Sequence, residues 1–466
     1  MAVINKILSR LMSFWPPWPQ GNCYMPHIKP FKGIRYNPGR IANMASVVCP
    51  PYDVISKEEQ AAYYDCSPYN VIRMELGKMH AEDDRHNNHR TRAGAYLRTW
   101  LKESILIQEE KPSLYLVATD FQTIDGTWTR WGLLAAVALE PFDKGNILPH
   151  ERTYSKVKSE RLALMRACPA NLSPIFSFFS DQASTIPQLQ FHVERWVPLI
   201  DFNDCNQHRH RLWVIDDPGL IADIAAQFRH QPIFIADGHH RYETALAYRD
   251  ERAAQEDLGE DHPAQYTLMY LSSIQDPGLR ILPAHRLLPQ VDIDVRHRFL
   301  EKLAPYFEIQ PVKSNGSNKA NARDVLRDLN HTSPGEGLVV ALRDAFAPLL
   351  LKLRADRKRL LYPEDTPDIL KDIDVTLLSE FIFPKLLGLT PNQLDDVNSV
   401  HYHHDTEAAL EYVRTGQYDM AFIIKPTPIA AVQRIADSGR IMPRKSTYFA
   451  PKVISGLVLH GLVQQL

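Results

Sequence analysis

The sequence predicts an α/β or α+β protein, and three observations carry the prediction. Apolar runs of strand length recur along the chain, segments with apolar residues at helical spacing lie between them, and the two kinds alternate. The runs are LYLVATDF (114–121), WGLLAAVAL (131–139), PIFIA (232–236), GLVVALR (337–343) and DMAFIIK (419–425), rich in branched and aromatic residues. Helical spacing appears over 92–104, 295–307, 321–331, 407–416 and 428–439, and the last two segments stop on Gly416 and Gly439, where a helix commonly ends. At 466 residues the chain exceeds the usual size of one domain. We expect an extension over 1–25 and lobes over 26–145, 146–310 and 311–466, with the loop-like VKSNGSNKANA (312–322) as a boundary candidate.

Lys and Arg number 53 against 55 Asp and Glu, a net charge of −2. That balance argues against a protein built to coat nucleic acid, which would carry a strongly basic face. The five cysteines are scattered without a C-x-x-C pair, the pattern of reduced thiols in a cytoplasmic protein. The segment VINKILSRLMSFW has helical spacing, but its apolar part is too short for a membrane span or a signal core. An interfacial helix, a floppy extension, or an appendage ahead of a start at Met25 all fit it, and we expect the last.

The stretch FIADGHHRYETAL (234–246) drives an apolar run into Asp237-Gly238 and then directly into a helix. A helix N-terminus exposes unpaired N–H groups and a partial positive charge, so strand, glycine turn and helix together form a phosphate cradle. Arg241 adds a bidentate fork for phosphate oxygens, and His239 and His240 offer hydrogen bonds or a proton shuttle near neutral pH. Each residue alone also has a structural reading: Asp237 as an N-cap, Gly238 as a turn residue, the histidines as polar surface. Adjacent histidines on a helix point about 100° apart, so the pair does not naturally hold one metal ion.

DGHHRYETA resembles the phosphate-binding box of the ParB/sulfiredoxin-like fold, in the form carried by free-serine kinases. From about residue 26 onward the chain is similar to a bacterial family catalogued as domain of unknown function 1015. That similarity rests on IKPFKGIRYNP (28–38), VVCPPYDVIS (47–56), SPYNVIRMELG (67–77), LPHERT (148–153), SPIFSFFSD (173–181), DGHHRYETAL (237–246), DPGLRILPAHRLL (276–288) and MPRKSTYFAPKVISGLV (442–458). The resemblance implies a ParB/sulfiredoxin-like core that holds ATP or ADP, with Mg2+, on Gly238, His239, His240 and Arg241. It implies Glu151 as general base, with Asp237 and His239 beside it and His150 and Thr153 lining the same edge. The activity implied is phosphoryl transfer to or from a small serine-like hydroxyl metabolite. A nucleotide-sensing switch without turnover and a phosphometabolite hydrolase are the other readings, and Glu151 also reads as a surface carboxylate paired with Arg152 or Lys156.

Further motifs carry weaker signals. MPRKSTYFAPK clusters Arg444, Lys445, Ser446 and Thr447 beside aromatics, as a second phosphate contact or an edge strand with a basic rim would. Asp53 reads as the N-cap of a helix starting near Ser56, or as a ligand for Mg2+ or a substrate amine. Asn70, Arg73 and Glu75 read as one strand face. LPAHRLL places His285 and Arg286 in an apolar run, as buried and hydrogen-bonded groups or as an anion clamp. HYHHD (401–405) fits an exposed loop, and no metal site is assigned to it. There is no P-loop, kinase H-R-D loop, G-x-S-x-G elbow or H-E-x-x-H helix. A missing cysteine in the box disfavours sulfiredoxin chemistry, and the absent helix-turn-helix pattern disfavours DNA clamping. The expected partner is a small phosphate-bearing ligand; the oligomeric state is left open.

Overall fold

A computed structural model describes residues 26–151, 155–229, 231–314, 320–396 and 398–464. The chain divides into two compact units, one running to Arg280 and resumed from Pro451, the other Ile281–Ala450. It is a mixed α/β protein with a large mixed sheet.

The main sheet of the first unit has nine strands among the described residues. In chain order they are β1 (Ile28–Lys29), β2 (Leu114–Thr123), β3 (Gly126–Ala138), β4 (Ile147–Leu148), β5 (Ile175–Phe179), β6 (Ile200–Asn203), β7 (Arg209–Ile215), β8 (Ile233–Asp237) and β9 (Tyr266–Ser273). They lie in the order β4-β8-β5-β9-β3-β2-β7-β6, with β1 also on β3. Both the expected lobe 26–145 and the part of the expected lobe 146–310 up to Arg280 contribute strands to this sheet. Every residue of β5 and β9 is buried, which is why these strands read as continuous apolar or small-residue runs without alternation. Ile175, Phe179, Met269 and Leu271 join Leu116, Leu133 and Ile233 in the main core.

The helices that matter for the site are α1 (Lys57–Cys66), α2 (Ile72–Glu75), α3 (His89–Lys102), α4 (Ser155–Ala167) and α5 (His239–Ala253). Ser56, not Asp53, is the N-cap of α1: its hydroxyl accepts from Glu59 N, and the Glu59 carboxylate accepts from Ser56 N, a full capping box. The expected strand through Asn70, Arg73 and Glu75 is instead helical. The Asn70 side chain accepts from Ile72 N at 2.9 Å and donates to Ser46 O and Val48 O, so it opens a turn that no strand could follow.

The second unit carries an antiparallel sheet of six strands. These are β10 (His285–Leu288), β11 (Phe307–Pro311), β12 (Gly337–Leu342), β13 (Leu349–Leu353), β14 (His401–His403) and β15 (Met420–Ile423), ordered β11-β13-β12-β15-β10-β14. Helices α6 (Ile293–Leu303), α7 (Ala322–Asn330), α8 (Thr406–Arg414) and α9 (Ile429–Asp437) match the periodic segments. Gly416 and Gly439 take left-handed backbone, φ +75° and +66°, as the C-terminal glycines require. HYHHD is no free loop: His401–His403 pair with Leu287–His285, and Asp405 caps α8.

Candidate functional site

The site grows from one pairing. β4 and β8 are parallel neighbours, with Ile147 opposite Ile233 and Leu148 opposite Phe234. Parallel strands leave the sheet at the same end, so Pro149-His150-Glu151 and Asp237-Gly238-His239 emerge side by side. His150 N donates to His239 Nε2 at 3.2 Å, and the two rings meet edge to face with centroids 4.7 Å apart. Burial pushes the His150 imidazole down to about 4 and holds His239 well below its ordinary value. Both rings are therefore neutral near pH 7, which suits a hydrogen-bonding role for His239 better than the proton shuttle its sequence suggests.

Gly238 sits between β8 and α5 with φ +96°, as an N-cap residue with no side chain of its own to offer the helix. A Cβ there would lie 2.9 Å from Arg241 Nε, so the glycine admits both the left-handed turn and the guanidinium folded over it. Arg241 donates to the Pro174 carbonyl and, at 2.6 Å, to Asp237 Oδ2. Lys452 Nζ contacts Asp237 Oδ1, also at 2.6 Å. Asp237 is thus no N-cap but an anion shared by two cations at a helix N-terminus.

Other buried groups position these cations. Pro451, next to Lys452, offers its carbonyl to Arg130 Nη1 at 2.5 Å. Arg130, only 1% exposed, lies over the rings of Phe176 and Tyr270, 4.6 and 5.3 Å from their centroids. Although burial alone would lower it, the Arg241 pKa is raised, because Asp237, Asp53, Tyr52 and Glu75 surround the guanidinium. Arg161 on α4 stacks on the Tyr52 ring at 4.0 Å and donates to Glu75 O at 2.7 Å and Glu75 Oε1 at 3.2 Å. A cavity of about 30 Å³, room for one water, touches Arg161, Asn171, Ser173, Arg241 and Thr244.

The residues singled out in the sequence divide by location. Glu151 is half-buried directly after His150, and His240 is half-buried in the first turn of α5. Asp53 is exposed on the turn Tyr52–Val54. Thr153 lies outside the described residues. Arg286, Lys445, Ser446 and Thr447 belong to the second unit. There Arg286 donates to the carbonyls of Ala284, Arg444 and Lys445, and Ser446 Oγ donates to Pro443 O. Lys445 is exposed with φ +53°. His285 is buried between Thr406 Oγ1 at 2.9 Å and Ile424 N at 3.3 Å, the satisfied core histidine that its apolar surroundings predict. Sequence reasoning missed Lys452, Arg130, Arg161 and Tyr52. Lys452 and Tyr52 stand inside quoted motifs, MPRKSTYFAPK and CPPYDVIS, where proline-set turns were the available signal.

Comparison with known proteins adds a family and distant folds. No curated protein matches the chain. Among solved structures, a conserved hypothetical protein from Pyrococcus furiosus is similar at 10% identity and TM-score 0.31, over 66% of this chain and 90% of that one. A free serine kinase in complex with ADP is similar at 10% identity and TM-score 0.34, over 67% and 89%. SbnI from Staphylococcus aureus, truncated at its C-terminus, is similar at 11% identity and TM-score 0.34, over 71% and 89%. The model of the family described as Protein of unknown function (DUF1015) matches residues 28–375, more than half of the sequence, and the chain belongs to that family.

Proposed function

We propose that the turn Asp237–Arg241 holds the phosphates of ATP or ADP and that the chain transfers phosphoryl to or from a small, serine-like hydroxyl metabolite. The observation that carries this reading is the sharing of the Asp237 carboxylate by Arg241 and Lys452 at a helix N-terminus whose N-cap residue is a glycine. Two cations beside N–H groups at a helix start are what a phosphate needs. Gly238, His239 and His240 supply the backbone cradle, as in the phosphate box that DGHHR resembles. Glu151 takes the proton of the attacking hydroxyl, which must come close to the terminal phosphorus of the nucleotide, the shortened nucleotide leaving; the parallel β4/β8 pair supports that placement. His150, neutral and packed on His239, fixes the acidic loop against the cradle. Mg2+, when bound, would neutralise phosphate charge. Asp53 is the carboxylate that fits it, since Asp237 is occupied by two cations and Glu75 by Arg161.

The reading is tested by melting the purified protein with ATP, ADP and inorganic phosphate, with and without Mg2+, beside Lys452→Met. Ligand in hundredfold excess over its dissociation constant stabilises by about 2.7 kcal/mol. A rise in melting temperature with nucleotide that shrinks in Lys452→Met supports the cradle, and labelled phosphate appearing on serine-like acceptors establishes the reaction. No rise with any phosphate-bearing ligand overturns it.

A further inference from the structure

A second cluster lies on the hairpin β6–β7, in residues that the phosphate site does not use. We propose that Asp204, His208 and His210 bind one divalent transition-metal ion of the Zn2+ class. One donor atom from each lies within 4.8 Å of the others. Asp204 Oδ2 stands 3.4 Å from His208 Nδ1 and 3.1 Å from His210 Nε2. Ligands about 2.0–2.2 Å from a tetrahedral zinc ion stand roughly 3.3–3.6 Å apart, so small movements bring all three onto one ion.

The hairpin prepares these donors. Asp204 Oδ1 accepts from Asn206 N at 2.8 Å and His208 N at 2.9 Å, closing the loop and leaving Oδ2 to face the imidazoles. Gln207, in left-handed backbone at φ +62°, turns the chain so that His208 returns toward Asp204. His210 is on β7 with Nδ1 3.2 Å from Thr119 Oγ1, on the neighbouring strand β2. A hydroxyl accepting from Nδ1–H fixes the tautomer that bares Nε2 toward the shared point, the outer-shell arrangement typical of metal-bound histidine. Phe121 and Phe202 wall the cluster, edge-on to His208 and tilted against His210.

Asp204 and His210 are buried, while His208 is partly exposed and gives the ion an entry path. Two imidazoles and a carboxylate suit Zn2+, Co2+ or Ni2+ and not the hard Mg2+ expected at a nucleotide. Three protein ligands leave a fourth position for water. Cys205, although adjacent in sequence, has its thiol 3.4 Å from Tyr63 Oη and is not counted as a ligand.

The test is titration of chelator-treated full-length protein with Zn2+ alone by calorimetry, and with Co2+ followed by visible absorption. One ion per chain is expected, with a Co2+ spectrum of nitrogen and oxygen donors. Outer-shell losses at such sites already cost about 10–100-fold in affinity, so His208→Ala, at a partly exposed loop position, should lose more than about tenfold and Thr119→Val about tenfold. Cys205→Ser and His404→Ala should keep full affinity. Melting each variant without metal shows that it is folded. Absence of uptake by the wild-type chain, or uptake undiminished in both His208→Ala and Asp204→Asn, overturns the proposal.

Discussion

Two turns of this chain have nearly the same ingredients and use them in opposite ways. Asp237–Arg241 in the first unit and Pro443–Thr447 in the second both set basic residues beside a left-handed position, Gly238 in one and Lys445 in the other. In the second turn the polar groups close on themselves: Ser446 Oγ bonds Pro443 O, Thr427 Oγ1 bonds Ser446 O at 2.7 Å, and Arg286 gathers the Arg444 and Lys445 carbonyls. In the first, the charges converge on one carboxylate at the start of a long helix. Composition announces a basic turn; only the partners show that one turn is closed by hydroxyl and backbone bonds and the other is drawn together by a shared carboxylate.

The largest break in this comparison comes from the acid beside the first turn. Glu151→Gln should lower kcat for phosphoryl transfer by about 10²–10⁴-fold, the range for a lost general base, while leaving nucleotide-induced stabilisation intact. Ser446→Ala should cost about 1 kcal/mol of stability, one hydrogen bond, with nucleotide affinity unchanged. If Ser446→Ala weakens nucleotide binding and Glu151→Gln leaves turnover alone, the two turns have been assigned the wrong way round. Next in size, Lys452→Met should weaken nucleotide binding by about 10–100-fold, the worth of a charge-assisted contact of roughly 1.5–3 kcal/mol. Arg286→Lys, which loses the carbonyl fork, should lower the melting temperature and spare the affinity.

How much of this was legible in the sequence depends on distance along the chain. The β8-turn-α5 unit was legible because its signals are local: an apolar run, a glycine, then helical spacing. The role of Lys452 was not, because its partner Asp237 is 215 residues away and only the return of Pro451 to the first unit joins them. Arg130 was hidden inside an apolar strand whose neighbours are ring faces from β5 and β9. Asn70, Arg73 and Glu75 misled because a side-chain bond at Asn70, invisible to periodicity, starts a helical turn. Asp204, His208 and His210 match no standard motif spacing, and the hairpin loop alone folds them together.

Acid should act on both units in the same sense, a smaller and broader effect. Burial holds His150 down at about 4 in the first unit and His285 at about 3 in the second, both below the usual 6.5. The unfolded chain therefore binds more protons than the folded one below pH 6.5, so stability is complete above that value and falls as pH drops toward 4. Urea midpoints at pH 7.5, 6.0 and 5.0 should decline, and His150→Gln and His285→Gln should each flatten the decline. A slope unchanged in both variants would mean that neither imidazole is neutral in the folded chain.

The smallest expected effect discriminates most finely, because it compares two glycines of similar backbone. Gly416 has φ +75°, and a Cβ there would meet Arg343 at 3.1 Å, an exposed side chain whose pairing with Asp419 is long at 3.3 Å. Gly238 has φ +96°, and its Cβ would meet Arg241 Nε at 2.9 Å, on a guanidinium tied to Pro174 O and Asp237. Left-handed backbone costs either alanine about 1–2 kcal/mol, and Gly238→Ala adds the displacement of a buried, doubly bonded guanidinium, so it should lower the melting temperature more than Gly416→Ala. Only Gly238→Ala should also displace Arg241 and weaken nucleotide binding. Similar stability losses with affinity untouched in both would make Asp237-Gly238 an ordinary strained turn, whereas affinity lost only in Gly238→Ala would place phosphate against that backbone.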